Sequence, residues 1–519
     1  FFLCPPDALG LLPHVDHRGF ICYAPDEGTA IDRNRPLDVI REGLEQALGV
    51  LAAGMAHSND ADFADEFQAY WRQLPDVEEM RSVLDPADNV SVVIVAPVNG
   101  HLTVGHALRD IAAFDRQDLH AGPTDVRSLY LPLDPGVPFL PPAPTQPWTV
   151  AEAREKLVGA LSAANRTMLD QVVEKCALTK LGKKRRAQQY VFARLCRPSG
   201  GATLFGLRFE QTSMTHPLLP GGTADRVVPL VLQRLDRGFL LGRGGATAVR
   251  ADARVLLVGC GAVGGHVAFE LVRAGVLHLT VADPDVLTSD NTFRHVLGRP
   301  YWRTFKAKAV KSALEAEFPY VTVTALPLSI EQAIAEGKLQ MGNFHLVIVA
   351  IGKPTVELDL NERLHQASAG PPAIFTWLEP LGIGGHAIVV NNGPGRGCFA
   401  CLYTSPDGEP HELQNRAAFA APGQRFGRDL EGCGTLFTPF GSLDATRTAL
   451  VAVRLGVDIL QGYEQGNPLV SWKGDATAFV QQGFQLAPRF DLDVVELDAQ
   501  RDKYQAGACP VCGGRELQA

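Results

Sequence analysis

A set of glycines and one acid in the middle of the chain has the spacing of a nucleotide-binding turn. Gly259, Gly261 and Gly264 form a G-x-G-x-x-G pattern, and Asp283 stands at the end of the next apolar run. Such glycines let the backbone turn tightly and approach a phosphate, and the acid accepts hydrogen bonds from ribose hydroxyls. The pattern by itself fits an NAD site as well as an ATP site.

Polar and charged residues that follow this acid discriminate between the two nucleotides: Asp285, Asn291, Arg294 and Lys308. An NAD site does not need an arginine and a lysine beyond the ribose acid, whereas a site that stabilises pyrophosphate as it leaves ATP does. Asp285 is a candidate ligand for Mg²⁺. Lys306, the other lysine of the sequence K-A-K-A, is the alternative to Lys308.

Two C-x-x-C pairs offer four thiolates for a metal ion: Cys398, Cys401, Cys509 and Cys512. Zinc binds such a set tetrahedrally, and a structural site of this kind would pin the C-terminal tail to the preceding domain. A redox role is the alternative for a C-x-x-C pair, and the presence of two pairs argues against it. We therefore predict structural Zn²⁺.

A further cysteine stands in surroundings that favour nucleophilic chemistry. Cys433 lies between two glycines just before a long apolar helix. An accessible thiol near a helix N-terminus has a lowered pKa and can attack an acyl group. The alternative is that Cys433 is inert, as in an activator of the sulfur-carrier type. Cys22, which follows a glycine and two apolar residues, could by itself be a small buried residue, as free cysteines often are.

A parallel sheet and its helices must position the nucleotide residues. Residues 255–258 and 279–282 are predicted to be buried strands, and a run with helical period joins them. Residues 90–98, 188–196 and 202–211 are further predicted strands, and helical runs cover residues 150–178 and 36–55. The run at residues 36–55 carries five apolar side chains on one face: Leu37, Ile40, Leu44, Leu48 and Leu51.

Composition limits the class of protein. Hydrophobic residues make up 46% and charged residues 20% of 519, as in ordinary globular proteins, and this length suggests about two to four domains. The net charge of −9 argues against nucleic acid as the main partner. We expect no membrane span, no signal peptide and reduced thiols in a cytoplasm, and, since the chain does not begin with Met, a trimmed N-terminus.

From Arg234 to the C-terminus the sequence resembles the ubiquitin-activating superfamily, which includes the adenylating enzymes of thiamine and molybdopterin synthesis. The resemblance implies that the glycines line the phosphate turn, that Asp283 binds ribose, and that Asn291, Arg294 and Lys308 contact the phosphates of ATP. It also implies a homodimer, in which Arg237 (or Arg234) of an R-x-x-R element reaches the ATP of the partner subunit.

Three other features of this superfamily have counterparts in the chain. The long separation of the two zinc pairs is the family's, and Cys433 matches the thioester cysteine that the family carries on a crossing loop. A Mg²⁺-binding aspartate is expected after the strand at residues 346–350, but Gly352 stands at its position. We therefore expect Mg²⁺ to be held by Asp285, phosphate oxygens and water.

The surroundings of Cys22 resemble the active site of the ubiquitin-conjugating fold. That fold has a P-N turn, then a G-x-I-C motif and a helix, and Pro13, His14 and residues 19–22 match these positions. The resemblance makes Cys22 the conjugating cysteine. His14 replaces the family's asparagine, which is thought to support the oxyanion, and it could still donate a hydrogen bond.

The order of these modules resembles that of the ligase-like transferases of bacterial CBASS anti-phage operons. The resemblance implies an α/β protein with a Rossmann-like adenylation domain and zinc site (residues 234–519, with a crossover loop at about 405–440). An α+β linker domain (86–233) and an α+β ubiquitin-conjugating-like domain (1–85) would precede it.

The same resemblance implies three chemical steps. ATP would adenylate the C-terminal carboxylate of a protein, the acyl group would pass to Cys433 and then to Cys22, and a target lysine would accept it. In that family the activated protein is a cGAS-like nucleotidyltransferase.

Other functions remain open on the sequence. A sulfur-carrier or cofactor-pathway adenylyltransferase would share the nucleotide site and lack conjugation. An NAD-dependent oxidoreductase would bind nicotinamide, and a degenerate scaffold would bind ATP without turnover. Residues Arg294 and Lys308, with the zinc pairs, argue most strongly against the oxidoreductase.

Overall fold

The computed structural model describes residues 1–24, 31–117, 119–120, 125–144, 146–175, 188–213, 215–246, 249–250, 252–366, 370–391, 396–405, 414–428 and 437–513. The chain divides into two compact units, Phe1–Leu240 and Leu241–Ala519. None of the described helices combines the length and the apolar composition needed to cross a membrane.

Three helices follow the N-terminal segment of the first unit: α1 (Pro36–Met55), α2 (Asp62–Asp65) and α3 (Phe67–Trp71). Helix α1 covers the residues predicted to be helical, but small residues make its buried face: Gly43, Ala47 and Gly54. A Cβ at Gly54 would lie 3.2 Å from the side chain of Leu12, so this contact requires a small residue. Four of the five large apolar residues on the predicted face are exposed: Leu37, Ile40, Leu44 and Leu48.

A closed barrel of seven strands forms the rest of the first unit: β1 (Glu78–Ser82), β2 (Ser91–Val98), β3 (His101–Gly105), β4 (Val126–Pro132), β5 (Gln188–Cys196), β6 (Ala202–Glu210) and β7 (Arg226–Arg234). The strand order is β1-β3-β2-β4-β5-β6-β7, and parallel pairing of β1 with β7 closes it. Tyr130 and Phe192 belong to one apolar cluster, while their neighbours Leu129 and Val191 pack in another cluster with the helices. This alternation is what a filled barrel requires.

Helices α4 (Leu108–Asp115), α5 (Val150–Gly159) and α6 (Ala163–Lys175) connect the strands. Strands β2, β5 and β6 confirm the strands predicted for this part of the chain. The predicted boundary at residue 85 does not separate two compact units, because β1 pairs with β3 and β7. The indole of Trp71 also donates a 3.0 Å hydrogen bond to the carbonyl of Leu230, which fixes α3 to the barrel.

The second unit is built on a seven-stranded sheet: β8 (Arg254–Val258), β9 (His278–Ala282), β10 (Thr322–Leu326), β11 (Leu346–Val349), β12 (Ala373–Leu378), β13 (Gly384–Val390) and β14 (Leu469–Lys473). The order is β10-β9-β8-β11-β12-β13-β14, and the first five strands pair in parallel. Strand β13 pairs antiparallel with β12, and β14 pairs antiparallel with β13. Helix α7 (Arg237–Arg243) spans the boundary between the units. The other helices are α8 (Ala262–Arg273), α9 (Lys306–Glu317), α10 (Ile330–Ala335), α11 (Pro354–Gln366), α12 (Ser442–Leu460), α13 (Thr477–Gln481) and α14 (Val494–Ala499).

This topology confirms the predicted α/β, Rossmann-like fold class and places a crevice. From β8 the chain runs outward through β9 to β10, then returns to β11 on the other side of β8. In open α/β sheets the crevice at the carboxyl ends of two such strands is the usual ligand site. Here that point lies between the end of β8 at Val258 and the end of β11 at Val349.

Candidate functional site

The glycine turn sits at this crevice, and two of its glycines are required by close contacts. Gly259 has φ +93°, and a Cβ there would lie 2.6 Å from the carbonyl oxygen of Ala350. A Cβ at Gly264, in α8, would overlap the carbonyl oxygen of Gly259. An added Cβ at Gly261, directly before α8, would meet nothing within 4 Å, so the helix N-terminus opens onto free space. Amide groups at such a terminus attract phosphate.

The carboxylate of Asp283 holds this turn in shape. One oxygen accepts a 2.6 Å hydrogen bond from the amide of Cys260, and the other accepts a 2.8 Å bond from the amide of Asp285. Asp283 is 5% exposed, and burial raises its pKa, although the two amides and the nearby Lys306 ammonium oppose that rise. Each carboxylate oxygen keeps a further lone pair, so the predicted bonds to ribose hydroxyls remain a prediction that this geometry permits.

Of the two lysines of K-A-K-A, Lys306, predicted as the alternative to Lys308, is the one that faces these acids. The Nζ of Lys306 lies 3.0 Å from a carboxylate oxygen of Asp285, and its side chain is largely buried. Lys308 lines a separate groove with Lys311 and Glu315. The helical geometry of α9 explains the difference, since residues two apart on a helix point in nearly opposite directions. The structure therefore favours Lys306 for contact with phosphate.

Asn291 ends a short 3-10 helix, Ser289–Asn291, and Arg294 follows it. The guanidinium carbon of Arg294 lies 5.5 Å from the ring centre of Phe440 and 6.0 Å from that of Phe437, a cation–π arrangement. The side chain of Asn291 donates to Asp290 at 3.2 Å. Arg294 is thus held beside the segment that leads into α12. Cys433 lies outside the described residues, as do residues 406–413 and 429–436 of the predicted crossover loop.

At Gly352, where an aspartate was expected, the structure shows why this chain departs from the pattern. Gly352 has φ +68°, a conformation that favours glycine, and its amide donates a 2.9 Å hydrogen bond to Glu357. Glu357 is 2% exposed in the first turn of α11, and burial raises its pKa to about 7. Sequence reasoning missed Glu357, although an acid in the first turn of a predicted helix is a recognisable signal.

The two arginines of the R-x-x-R element, Arg234 and Arg237, lie near the end of the first unit. Arg234 forms an ion pair with Asp236 at 2.8 Å and donates to the carbonyl of Ala202, so its charge is already used within that unit. Arg237 is the first residue of α7. Its predicted contact with ATP of a partner subunit stays a prediction.

Cys22 is exposed in a turn that two backbone contacts define. Its amide donates a 2.8 Å hydrogen bond to the carbonyl oxygen of His14, and Val15 and Ile21 form an antiparallel bridge between them. His14 itself has φ +64°, an uncommon conformation for a residue with a side chain. The cysteine and the residue in the family's asparagine position therefore belong to one turn.

Two acids hold the ring of His14 from opposite sides: Asp62 begins α2, and Glu66 directly follows this helix. Nδ1 lies 2.7 Å from an oxygen of Glu66, and Nε2 lies 2.9 Å from an oxygen of Asp62. Burial alone would lower the pKa of His14, but these two carboxylates raise it above 6.5. The backbone amide of His14 also donates to the hydroxyl of Tyr70 at 2.7 Å.

This arrangement leaves neither ring nitrogen of His14 available for an oxyanion. Both nitrogens already face carboxylates, so the imidazolium acts as a brace for the turn. Sequence reasoning missed the brace, although its members recur at a spacing of four residues, which places them on one helical face: Asp62, Glu66 and Tyr70.

The four predicted metal ligands come together: Cys398, Cys401, Cys509 and Cys512, whose sulfur atoms all lie within 4.8 Å of one another. Sγ of Cys398 and Sγ of Cys509 are 3.7 Å apart, close to the roughly 3.8 Å edge of a tetrahedron with Zn–S bonds of about 2.3 Å. The amide of buried Asn361 donates to Sγ of Cys398 at 3.5 Å and its oxygen accepts from the amide of Phe399. These residues fit a structural zinc ion.

Comparison with known proteins gives separate family matches for two parts of the chain. Residues 240–465 match the model of the ThiF family, and residues 1–79 match that of the Prokaryotic E2 family B. An ATP-dependent ubiquitin transferase-like protein Cap2 from Pseudomonas aeruginosa is 25% identical over 531 residues, 98% of this chain and 88% of the relative. A Cap2 protein from Escherichia coli is 23% identical over 490 residues, 85% of this chain and 78% of the relative.

Among solved structures, the crystal structure of E. coli MccB covers 54% of this chain and 69% of its own, with 16% identity and a TM-score of 0.38. The two family matches, together with the crevice, the exposed cysteine and the four-cysteine cluster, identify the organisation of the molecule. The chain is a fusion of a ubiquitin-conjugating-like module with a ThiF-type, ATP-binding adenylation module, and it is an adenylating and conjugating enzyme.

Proposed function

We propose that this chain activates the C-terminal carboxylate of a protein with ATP and conjugates that protein, through Cys22, to an amine. The observation that carries the proposal is the presence in one chain of a crevice formed by the glycine turn, with Lys306 beside Asp285, and an exposed cysteine in a braced turn. The Cap2 relatives, named as ATP-dependent ubiquitin transferase-like proteins, support it.

The crevice suits the first step, attack of a carboxylate oxygen on the α-phosphorus of ATP with departure of pyrophosphate. Lys306 and Arg294 would offset the negative charge that develops on the leaving group. Asp285 would hold Mg²⁺ together with the phosphates, since magnesium commonly uses only one or two protein carboxylates. Mg²⁺, when bound, would neutralise part of the phosphate charge. Gly352 has no side chain and would supply no carboxylate ligand to the ion.

Two thioester steps follow in this proposal. The thiolate of Cys433 attacks the acyl carbon of the adenylate and AMP leaves, and the acyl group then exchanges onto the sulfur of Cys22. A target amine, such as that of a lysine, attacks this thioester, the thiolate of Cys22 leaves, and the ammonium proton passes to solvent. The role of Cys433 rests on the resemblance to the activating family.

The biological setting is part of the proposal and rests on the same resemblance. It comprises a homodimer in a bacterial cytoplasm, defence against phage in a CBASS operon, and a cGAS-like nucleotidyltransferase as the activated protein. The four-cysteine cluster, with zinc bound, would keep the C-terminal tail on the adenylation module.

The experiment that tests the function incubates the full chain with ATP and a candidate protein that has a free C-terminal carboxylate. ATP–pyrophosphate exchange and a thiol-labile adduct on Cys22, seen by mass spectrometry, are expected. Cys22→Ser should retain exchange and lose transfer to amines, whereas Cys4→Ser, at the other exposed N-terminal cysteine, should retain both. Exchange without an adduct on Cys22 would indicate an adenylyltransferase of the sulfur-carrier type instead.

A further inference from the structure

A pocket of about 380 Å³ in the second unit is lined by three cations and, among the described residues, by no acid; Leu402 on its wall directly follows Cys401 of the four-cysteine cluster. The cations are Arg416, Arg489 and Lys503, and its walls are otherwise mainly apolar, including Leu469 and Leu492. An unbalanced group of positive charges in a concave, apolar surface is the setting in which a protein binds an anionic group.

Arg489 is the most constrained of the three cations. Its Nη2 donates to the hydroxyl of Ser471 at 3.4 Å, and its Nε is buried with no hydrogen-bond partner. Burial lowers the pKa of the guanidinium, and among the described residues Arg489 forms no ion pair with a carboxylate. A half-buried guanidinium with a buried, unpaired Nε and no counter-ion is costly to the folded state, so a ligand that supplies the missing charge would bind with an advantage.

No acid is among the described residues that line the pocket. In the neighbouring sequence Asp498 and Asp502 both lie 3.8 Å from the guanidinium of Arg501, and Asp493 accepts from the amide of Glu496 at the start of α14. Asp491 is exposed. The acid that connects to Arg489 is Glu379, and it does so only through His386 and Ser471. His386 Nε2 lies 3.2 Å from Glu379, and Nδ1 lies 2.8 Å from the Ser471 hydroxyl.

The other two cations differ in how they are held. Arg416 donates through Nη1 to the carbonyl oxygens of Cys401 and Tyr504, which fixes its position on the pocket wall. Lys503 is exposed at the pocket. The fixed guanidinium of Arg416, the half-buried guanidinium of Arg489 and the exposed ammonium of Lys503 can together surround a carboxylate.

The shape of the pocket selects among anions. A volume of about 380 Å³ is many times that of one water or phosphate-sized group, and leucine side chains on its wall offer a free ion nothing to contact. A carboxylate carried on a peptide, with aliphatic neighbours, satisfies both the cations and the leucines.

We propose that this pocket binds an acidic side chain flanked by aliphatic residues in a peptide segment of a protein partner. The carboxylate would lie against Arg489 and Lys503, and the aliphatic neighbours would pack on Leu469 and Leu492. Binding at this site requires neither ATP nor a cysteine, so it stands apart from the conjugation chemistry.

The test uses the full chain and a blocked tripeptide, acetyl-Leu-Glu-Leu-amide, with acetyl-Leu-Gln-Leu-amide and inorganic phosphate as comparisons. Phenylglyoxal modifies accessible arginines, and peptide mapping measures the rate at Arg489. The Glu peptide should slow that rate, and the Gln peptide should bind about tenfold more weakly because it lacks the charge. Arg454, exposed on α12 outside the pocket, should react at an unchanged rate.

Variants separate binding from folding. Arg489→Gln should abolish binding of the Glu peptide in calorimetry, and Lys503→Gln, at an exposed position, should weaken it while leaving the fold intact. Arg454→Gln is the charge-matched control and should bind as the parent does. Equal protection by both peptides, protection by phosphate alone, or affinity unchanged in Lys503→Gln and Arg489→Gln would each overturn the proposal. ATP–pyrophosphate exchange, measured separately, reports on the conjugation chemistry and not on this pocket.

Discussion

The backbone amide of Cys22 donates a 2.8 Å hydrogen bond to the carbonyl oxygen of His14, so the exposed thiol and the braced imidazole belong to one turn. The carboxylates of Asp62 and Glu66 lie on either side of the His14 ring, and we infer that they position Cys22 through the backbone that it shares with His14. The acids are positioning residues in this arrangement.

Replacing one acid of the brace should slow transfer from Cys22. Glu66→Gln removes a charge 2.7 Å from Nδ1 of His14 and weakens the bonds that Glu66 accepts from the His14 amide and the Tyr70 hydroxyl. We expect amine transfer to fall about tenfold, with ATP–pyrophosphate exchange unchanged. Glu42→Gln, an exposed acid on α1, is the matched control. A parental transfer rate in Glu66→Gln would show that the brace does not position Cys22.

The brace should also make stability depend on pH. The folded-state pKa of His14 is raised above 6.5, so its contribution is fully present below the unfolded pKa and is lost as pH rises through the folded pKa. The charged or titratable groups facing the ring are Asp62, Glu66 and Tyr70. His14→Asn, which tolerates positive φ, should destabilise the first unit at pH 6 and progressively less toward alkaline pH. Pulse proteolysis in urea, with mapping of N-terminal fragments, measures this, and a difference that grows with pH would contradict the brace.

Lys306 and Lys308 should differ sharply in adenylation. Lys306→Ala removes a cation 3.0 Å from Asp285 at the crevice, and we expect exchange to fall about 10²- to 10³-fold. Lys308→Ala should cost far less, because Lys308 lines a groove with Lys311 and Glu315. If Lys308→Ala loses as much exchange as Lys306→Ala, the assignment made from the sequence stands and the structural one fails.

Two glycines of the turn should respond differently to a single methyl group. Gly264→Ala places a Cβ against the carbonyl oxygen of Gly259 and should destabilise the second unit by about 1–3 kcal/mol or more. Gly261→Ala meets open space and should change stability by less than about 0.5 kcal/mol. Urea denaturation of the full chain, followed by proteolysis of the second unit, measures both. Equal losses would mean that the turn can adjust at Gly264.

Removal of the metal should release the C-terminal tail. Metal analysis of the purified chain should find one zinc ion, and Cys509→Ser should lose it, since three thiolates bind zinc far more weakly than four. Limited proteolysis should then cut residues 493–513 faster. Cys196→Ser, a cysteine of the barrel outside the cluster, should keep both zinc and protection. A Cys509→Ser protein with full zinc content would exclude the four-cysteine site.

Much of the second unit could be predicted from local patterns. Strands, the glycine turn and Asp283 follow from chemistry that acts over short stretches of chain, and the two C-x-x-C pairs carry their ligand set in their spacing. The same reasoning located Cys22, because the short motif around it is contiguous. Residues whose role depends on a neighbour distant in the chain could not be found this way.

Three features of the protein could be established only from the tertiary structure. Which lysine of K-A-K-A lies beside Asp285 depends on the rotation of α9 over the sheet, and it is Lys306. The brace of His14 depends on α2 folding back over the N-terminal turn, and the unbalanced charge of Arg489 depends on the packing of the short 3-10 helix Pro488–Phe490 against β14. The sequence alone determined the kinds of chemistry available, because residue type and short-range spacing set them. The fold decided which of those groups meet, because contacts between remote segments depend on packing that no local pattern records.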